Sequence, residues 1–325
     1  MANAPRRWLV VGSGAIAARH MKCVAQLLDD VSFARLSSSG RSATFPAIDD
    51  MVDEVFESWD AALAWNPEAG IVANATSGHI TALQELLTFG VPVLVEKPLA
   101  RSPHEAGRIV ELAKQSGQPV LVGYCLRFHP AVKRLMDLVV GGGLGSPVQC
   151  IAIVGQHIED WRVQASESTV SLSAQLGGGA LLELSHEIDL AITLMGQVLK
   201  TEGFTSTPSR YEVEVAASLS MLHEQAVSSV SMNMLQRPAQ RTFTIVATEG
   251  TVSADLITGE IAISGPDGQT THESVEPASV MYLEQMRHFI GCATGDESPV
   301  SDLWSAIAVL NCIESVRHST AVPQE

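Results

Sequence analysis

Short apolar runs alternate with longer amphipathic segments from the start of the chain to about residue 122. The short runs are rich in β-branched residues, while the longer segments repeat their apolar positions at helical spacing. Strands that alternate with helices of ~10–15 residues are typical of βαβ units around a parallel sheet. The predicted strands are Trp8–Val11, Val31–Leu36, Ile71–Ala75, Val93–Val95 and Val120–Val122, and the predicted helices are 15–28, 79–89 and 103–116.

The pattern changes after this point. A helix-like segment, a strand-like run and a polar loop precede a triple glycine that opens a strongly helical segment. Several strand-like runs with short connections follow, which favours antiparallel pairing, and two amphipathic segments close the chain. In chain order these are 130–140, 147–157, 159–176, Gly177–Gly179 with the helical segment to Met195, 211–263, 279–294 and 301–318.

The two patterns predict two domains of different class. Residues 1–122 are predicted to form an α/β domain with a doubly wound parallel sheet, and residues 123–325 an α+β domain. A length of 325 residues agrees with this division, because it exceeds the usual size of one domain. The pattern also allows the C-terminal helix to pack back on the first domain.

Composition excludes several classes of protein. The formal net charge of −16, with no long run of basic residues, argues against nucleic-acid binding. No stretch approaches the ~20 apolar residues that span a bilayer. The five cysteines are dispersed without CxxC spacing, which favours free thiols in a reducing compartment and suggests no metal site. We therefore expect a cytoplasmic protein.

A glycine motif follows the first predicted strand. Gly12 and Gly14, then Ala15, Ile16 and Ala17, form a GxGxxA sequence that enters the first predicted helix. The first glycine permits a tight turn, the second lets the backbone approach a pyrophosphate, and the small third residue allows close helix–strand packing. The motif therefore predicts dinucleotide binding, with an ordinary tight turn as the alternative.

The end of the second predicted strand bears on the choice of dinucleotide. A carboxylate there would bind the ribose 2′-hydroxyl of NAD. The sequence after Leu36 has hydroxyl side chains and Arg41 but no carboxylate, so Ser38 and Arg41 are candidates to bind the 2′-phosphate of NADP. NADP is the predicted cofactor, with NAD still possible; a solvated turn with a surface arginine is the alternative reading.

Glu96, Lys97 and Pro98 end the predicted strand Val93–Val95. Ligands of doubly wound sheets lie beyond the carboxyl ends of the strands, where Lys97 would reach a nicotinamide and a substrate hydroxyl. The alternative is a strand-ending lysine in water, which is the usual environment of lysine.

Glu183, His186 and Asp189 lie three residues apart in the helical segment, which places them on one face of a helix. A histidine with a carboxylate one turn away is a plausible general acid or base. A structural histidine is the alternative.

These motifs in this order resemble the glucose–fructose oxidoreductase/inositol dehydrogenase/MocA (Gfo/Idh/MocA) family over nearly the whole chain. The motif at Glu96–Pro98 and the motif at Gly177–Asp189 are together fairly specific. The other matching segments are the glycine loop, Ala75-Thr76-Ser77-Gly78-His79, Leu126-Arg127-Phe128-His129-Pro130 and Glu249-Gly250-Thr251.

The resemblance implies an N-terminal Rossmann domain and a C-terminal domain with a large, mostly antiparallel open sheet that often mediates homo-oligomers. It implies hydride transfer between NAD(P) and a sugar, nucleotide sugar or cyclitol, with Lys97 and His186 as catalytic residues. A non-catalytic NAD(P)-binding sensor and a redox-assisted elimination or hydrolysis stay open as alternatives. The implied cofactor contacts are Ala75, Thr76, His79, Glu96 and Lys97, and the candidate substrate contacts are Arg127, Trp161, Arg162, Glu183, Asp189 and Arg237.

One departure from the family concerns Glu183, since members commonly carry aspartate near this position. The longer side chain changes where the carboxylate lies, and the region 160–176 lacks the tyrosines of the closest sugar-modifying branch, although Trp161-Arg162 fits its pattern. The identity of the sugar therefore does not carry over.

Overall fold

The computed structural model describes residues 4–37, 46–161, 170–276 and 278–320. The chain divides into two compact units, of which unit 1 comprises Met1–Tyr124 with Tyr282–Ile307, and unit 2 comprises Cys125–Met281 with Ala308–Glu325. Residues 282–307, which the sequence interpretation grouped with the second domain, thus belong to unit 1. Phe289 explains this grouping, because it is fully buried with its ring edge against Trp8, at 5.9 Å between centroids.

Unit 1 contains a parallel six-stranded sheet of order β3-β2-β1-β4-β5-β6. The central strands are buried on both faces, as parallel sheets covered by helices require. This is the doubly wound α/β fold that the alternation predicts. Its elements are β1 (Arg7–Val11), α1 (Ala15–Leu27), β2 (Ser32–Leu36), α2 (Pro46–Asp49), β3 (Glu54–Phe56), α3 (Trp59–Ala64), β4 (Ala69–Val72), α4 (His79–Thr88), β5 (Val93–Val95), α5 (Pro103–Ser116) and β6 (Val120–Val122).

Local signals account for the limits of α5. The Ser102 hydroxyl accepts a hydrogen bond from the backbone N–H of Glu105 at 3.3 Å, and Pro103 occupies the first turn. Gly117 ends the helix at φ 67°, a conformation that glycine adopts without strain. The three-residue strand β3 and the helix α3 lie in a Pro- and Asp-rich stretch that gave no periodic signal, and the sequence analysis missed both.

Unit 2 contains an eight-stranded sheet of order β14-β13-β12-β11-β7-β10-β9-β8. β7 pairs with β10 in parallel, and every other neighbouring pair is antiparallel. The predicted α+β class with a large, mostly antiparallel sheet is confirmed. The strands are β7 (Pro147–Gly155), β8 (Val198–Ser206), β9 (Ala216–His223), β10 (Val227–Asn233), β11 (Gln240–Ala247), β12 (Gly250–Asp255), β13 (Glu260–Ser264) and β14 (Thr270–Ser274).

Alternation of buried and exposed residues gives the unit 2 sheet one covered face and one open face. In β9 every second residue is buried, and the serines between them are exposed. On the open face Phe204 is 75% exposed, and Leu222 and Val227 are also exposed. The remaining helices of the chain are α6 (Pro130–Val140), α7 (Ile158–Trp161), α8 (Ala180–Glu183), α9 (His186–Met195), α10 (Met281–Thr294) and α11 (Leu303–Thr320).

The helical segment predicted from Gly177–Gly179 to Met195 is two helices, not one. α8 ends at Glu183, and α9 begins at His186 after Leu184, whose backbone (φ −103°, ψ 26°) lies outside the helical region. The prediction of one continuous helical face was therefore wrong, because buried apolar residues continue through both helices and their periodicity conceals the break.

None of the helices in the described ranges is long and apolar enough to cross a membrane. Among the same residues no group of three or more His, Cys, Asp or Glu side chains is placed to hold a metal ion. All five cysteines are free and buried.

Candidate functional site

The glycine loop joins β1 to α1 at the carboxyl edge of the unit 1 sheet. Gly12 has φ +120°, and a Cβ there would lie 2.6 Å from the backbone carbonyl of Ala73, so no other residue fits. Gly14 precedes α1 without a side-chain cap, and a Cβ at Gly14 would meet nothing within 4 Å. The loop thus leaves open space beside the first turn of a 13-residue helix.

This space suits a diphosphate. The N-terminal N–H groups of a helix have no partners within the helix and carry a partial positive charge. The first turn of α1 holds no acidic residue that would repel an anion, and Ala17 is fully buried, which brings the helix close to the sheet. The residues of the GxGxxA motif therefore have the arrangement that a dinucleotide requires.

The predicted 2′-phosphate contacts, Ser38 and Arg41, lie outside the described residues. The strand that precedes Ser38 and Arg41 in the chain is β2. Its Arg35 is buried, with the guanidinium 3.6 Å from the Asp49 carboxylate.

The turn after β5 carries Glu96, Lys97 and Pro98. Lys97 is partly exposed, and the Lys97–Pro98 peptide is cis. The Glu96 carboxylate lies 2.7 Å from Nε2 of His20, a fully buried residue of α1. Sequence reasoning missed His20, whose only signal is a histidine on the otherwise buried face of the helix after the glycine loop.

The segment Ala75–His79 follows β4, which neighbours β1 and β5 at the same edge of the sheet. Ala75 precedes a 3-10 turn, and Thr76 within the turn is buried. His79 is 1% exposed, and its ring nitrogens lie 2.9 Å from the Pro98 carbonyl and 3.1 Å from the Asn74 carbonyl. His79 was predicted to contact the cofactor. In the structure both of its ring nitrogens face backbone carbonyls, so the side chain links the segment after β4 to the turn after β5.

In unit 2, His186 is the first residue of α9 and is 8% exposed. The Cys125 thiol lies 4.0 Å from its Nε2. Glu183 belongs to the preceding helix α8 and is half-buried, while Asp189 lies one turn into α9. The three predicted side chains are thus close in the chain but are carried by two helices.

Two arginines bind the carboxylates of α9. Arg127 meets Asp189 with both ends of its guanidinium, with Nε at 2.8 Å from Oδ2 and Nη2 at 2.5 Å from Oδ1. Arg241 of β11 binds the fully buried Glu187, with Nε at 2.7 Å from Oε1. Burial raises the pKa of the Asp189 carboxyl, and the charge of Arg127 opposes that rise. Sequence reasoning missed Glu187 and Arg241, because pairing across 54 residues leaves no spacing signal.

Arg127 and Asp189 were predicted to contact substrate, but the structure brings them together as a buried pair. Arg237 is exposed and binds Glu159 and Asp160 of α7, at 2.9 Å and 3.1 Å. Hydrogen bonding to Arg237 lowers the pKa of the Asp160 carboxyl. Of the other three candidates, Glu183 ends α8, Trp161 ends α7 and Arg162 lies outside the described residues.

The triple glycine before α8 has a structural cause. A Cβ at Gly178 would lie 2.5 Å from the Ser171 carbonyl oxygen, and one at Gly179 would lie 2.5 Å from the Glu214 carboxylate. Glu214 accepts a hydrogen bond from the Leu181 N–H at 3.3 Å, at the start of α8. The glycines therefore let Glu214 reach the N-terminus of α8, which sets the course of the chain toward His186.

A parallel sheet with an open glycine loop at its carboxyl edge defines a dinucleotide-binding protein. Residues 6–124 match the model of an oxidoreductase family described by its NAD-binding Rossmann fold, and residues 132–253 match the GFO/IDH/MocA C-terminal domain. The chain belongs to the Gfo/Idh/MocA family. The resemblance and the dinucleotide prediction are confirmed, and NAD(P) is the cofactor.

Characterised relatives and solved structures are similar to this chain at low identity. The D-xylose 1-dehydrogenase (NADP(+)) 2 of Haloferax volcanii is 19% identical over 318 residues, which cover 95% of this chain and 96% of that protein. The inositol 2-dehydrogenase of Leifsonia xyli subsp. xyli is 31% identical over 140 residues, which cover 42% of this chain and only 41% of that protein. The structure of levoglucosan dehydrogenase in complex with NADH and levoglucosan has a TM-score of 0.86 at 17% identity, covering 98% of this chain and 99% of that one.

Proposed function

We propose that this protein is an NAD(P)-dependent dehydrogenase that transfers hydride between the nicotinamide and a hydroxyl or keto carbon of a sugar, nucleotide sugar or cyclitol. The observation that carries the proposal is the placement of Lys97 on the turn after β5, at the same sheet edge as the open glycine loop. The relatives named for xylose, inositol and levoglucosan support the substrate class.

Oxidation of a carbinol requires removal of a proton from oxygen as hydride leaves carbon, and NAD(P), when bound, supplies the hydride acceptor. In our proposal His186 takes the hydroxyl proton as general base. The Lys97 ammonium donates a hydrogen bond to the same oxygen and stabilises its developing negative charge. In the reverse direction His186 returns the proton to the carbonyl oxygen.

Substrate contacts are proposed from the candidates that the sequence motifs supply. Glu183, Trp161 and Arg162 stay candidates. Arg127 and Asp189 are reassigned to holding α9, since each carboxylate oxygen of Asp189 already accepts a hydrogen bond from Arg127. Arg237 is bound to two carboxylates and would have to leave them before it met a substrate.

A turnover screen tests the proposed function. Purified protein is incubated with NAD⁺ or NADP⁺ and a panel of aldoses, anhydrosugars, nucleotide sugars and cyclitols, and absorbance at 340 nm is followed. We expect reduction of cofactor with at least one member of the panel. Bound cofactor without turnover on any member, in either direction, would instead favour a non-catalytic sensor.

The preference for NADP over NAD is proposed from Ser38 and Arg41, at the position where NAD enzymes place a carboxylate. Replacement of Arg41 by alanine is expected to weaken NADPH binding by about tenfold or more, because a charge-assisted hydrogen bond of about 1.5–3 kcal/mol is lost. NADH binding should hardly change. Equal weakening of both cofactors in a fluorescence titration would contradict the preference.

We further propose a cytoplasmic homo-oligomer. The support for oligomerisation is the open face of the unit 2 sheet, where Phe204, Leu222 and Val227 are exposed. Phe204→Lys is expected to shift the protein to a smaller species in size-exclusion chromatography with light scattering, and an unchanged mass would count against this face.

The five free, buried cysteines support the proposed cytoplasmic location, because the cytoplasm is a reducing compartment. Cell fractionation would check this location.

A further inference from the structure

We propose that His20 and His79 are positioning residues that hold the Glu96-Lys97-Pro98 turn from its two ends and so fix where the Lys97 ammonium lies. The inference rests on the proposed function, since it takes Lys97 as the lysine that meets the reacting oxygen. Neither histidine would touch substrate; His20 acts through the Glu96 side chain and His79 through the Pro98 carbonyl, on the two sides of Lys97.

His20 holds the turn at its N-terminal end. Its side chain is fully buried on α1, and Nε2 lies 2.7 Å from the Glu96 carboxylate, whose side chain is 13% exposed. The other ring nitrogen, Nδ1, is buried without a hydrogen-bond partner in the part of the chain that the structure describes. Tyr282 packs edge-on against the ring at 6.0 Å between centroids. The hydrogen bonding of His20 is therefore directed at Glu96.

Glu96 also packs closely against Gly123. A Cβ on Gly123 would stand 3.0 Å from the Glu96 Cα and 3.1 Å from Oε2, closer than the side chain tolerates without moving. The Glu96 N–H donates to the Val72 carbonyl at 2.8 Å. Backbone and carboxylate of Glu96 are thus both fixed, between α1 and the residue after β6.

His79 holds the other end of the turn. Nδ1 lies 2.9 Å from the carbonyl of Pro98, and Nε2 lies 3.1 Å from the carbonyl of Asn74. Asn74 borders the glycine loop, because its backbone nitrogen is 2.8 Å from where a Cβ on Gly12 would be. Burial lowers the pKa of His79, so the ring is neutral and donates to one of the two carbonyls at a time.

The two imidazoles make one rigid assembly of the glycine loop and the lysine turn. His20 lies on the helix that begins at the glycine loop, and His79 on the helix that follows β4. The residues on both sides of Lys97 are anchored to these helices, while Lys97 itself is partly exposed. A misplacement of a reacting group by about 1 Å costs on the order of 10²-fold in rate, so loss of either anchor should be visible in kcat.

The test uses the geometry of amide side chains. Glutamine places an N–H near the Nε2 of histidine, and asparagine places one near Nδ1. At position 20, where Nε2 makes the contact, His20→Gln should keep kcat within a fewfold of wild type and His20→Asn should lose about tenfold or more. At position 79, where Nδ1 meets Pro98, the order should reverse, with His79→Asn more active than His79→Gln. Dissociation constants for NAD(P)H should stay within a fewfold of wild type throughout.

A control separates positioning from general loss of stability. His223 in unit 2 is equally buried, with both ring nitrogens at 2.8 Å from the Gly196 carbonyl and the Ser228 hydroxyl. His223→Asn should lower the melting temperature but leave kcat unchanged. If the variants at positions 20 and 79 lose kcat only in proportion to stability, or if the asparagine and glutamine orders are the same at both positions, the proposal is overturned.

A readout that needs no turnover keeps the inference distinct from the proposed function. The rate of acylation of Lys97 by acetic anhydride, relative to the exposed Lys22 in the same digest, should change several-fold in His20→Asn and little in His20→Gln. A protein that turns over no sugar would refute the proposed function, while an altered labelling ratio would still support the anchoring of Lys97. An unchanged ratio in every variant would refute the anchoring.

Discussion

Replacement of Lys97 by methionine is expected to lower kcat by about 10³-fold, the size of effect seen when a donor to a developing oxyanion is removed. Methionine is close to lysine in length but carries neither a charge nor a hydrogen-bond donor. The dissociation constant for NAD(P)H should change little. The open glycine loop and the N-terminus of α1, which are proposed to bind the diphosphate, do not include Lys97. Steady-state kinetics and a fluorescence titration of the same preparation measure the two quantities.

Lys22→Met is the matched control, since Lys22 is an exposed residue of α1. It should leave kcat and cofactor binding unchanged. Turnover of Lys97→Met near that of the control would remove Lys97 from the mechanism, and equal loss of turnover and cofactor binding would make it a binding residue instead.

His186→Asn complements this experiment, because the residues could exchange the roles of proton acceptor and alkoxide partner. If His186 is the general base, the rise of kcat/KM with pH should disappear in His186→Asn and persist in the residual activity of Lys97→Met. The opposite result would assign the base to Lys97.

Prediction from sequence worked where the determinants are local. The GxGxxA motif, the strands β1, β5 and β6 and the caps of α5 all depend on residues within one turn or one strand, so the pattern of the chain contains them. The shared sheet edge of Gly14 and Lys97 then followed from the rule that parallel strands end on the same side.

The contacts that arrange the candidate site join residues far apart in the chain. His20 and Glu96 are 76 residues apart, and Arg127 and Asp189 are 62 apart. Motifs identified Arg127 and Asp189 as candidate substrate contacts, but a charged side chain in a motif has the same sequence signal whether it binds a ligand or another residue of the chain. Only the folded chain shows that the two satisfy one another.

Loss of the Asp189 carboxylate is expected to give the largest stability change among the site residues. Asp189→Leu leaves Arg127, whose side chain is 10% exposed, without the carboxylate that binds it at two points. Removal of one partner of a buried pair costs about 3–5 kcal/mol, because the remaining charge loses its counter-ion in a medium of low polarity. Chemical denaturation monitored by circular dichroism would measure the change in the free energy of unfolding.

Arg134 and Glu273 provide a control of the same geometry in the same unit. They also form two parallel hydrogen bonds, both of 2.7 Å, but their side chains are 37% and 36% exposed. Water screens such a pair, so Glu273→Leu should cost at most about 1 kcal/mol. The double variant Arg127→Leu/Asp189→Leu should be more stable than Asp189→Leu alone, since it removes the buried charge as well. Equal losses in Asp189→Leu and Glu273→Leu would mean that burial does not set the strength of the Arg127–Asp189 pair, and α9 would then depend on its apolar contacts alone.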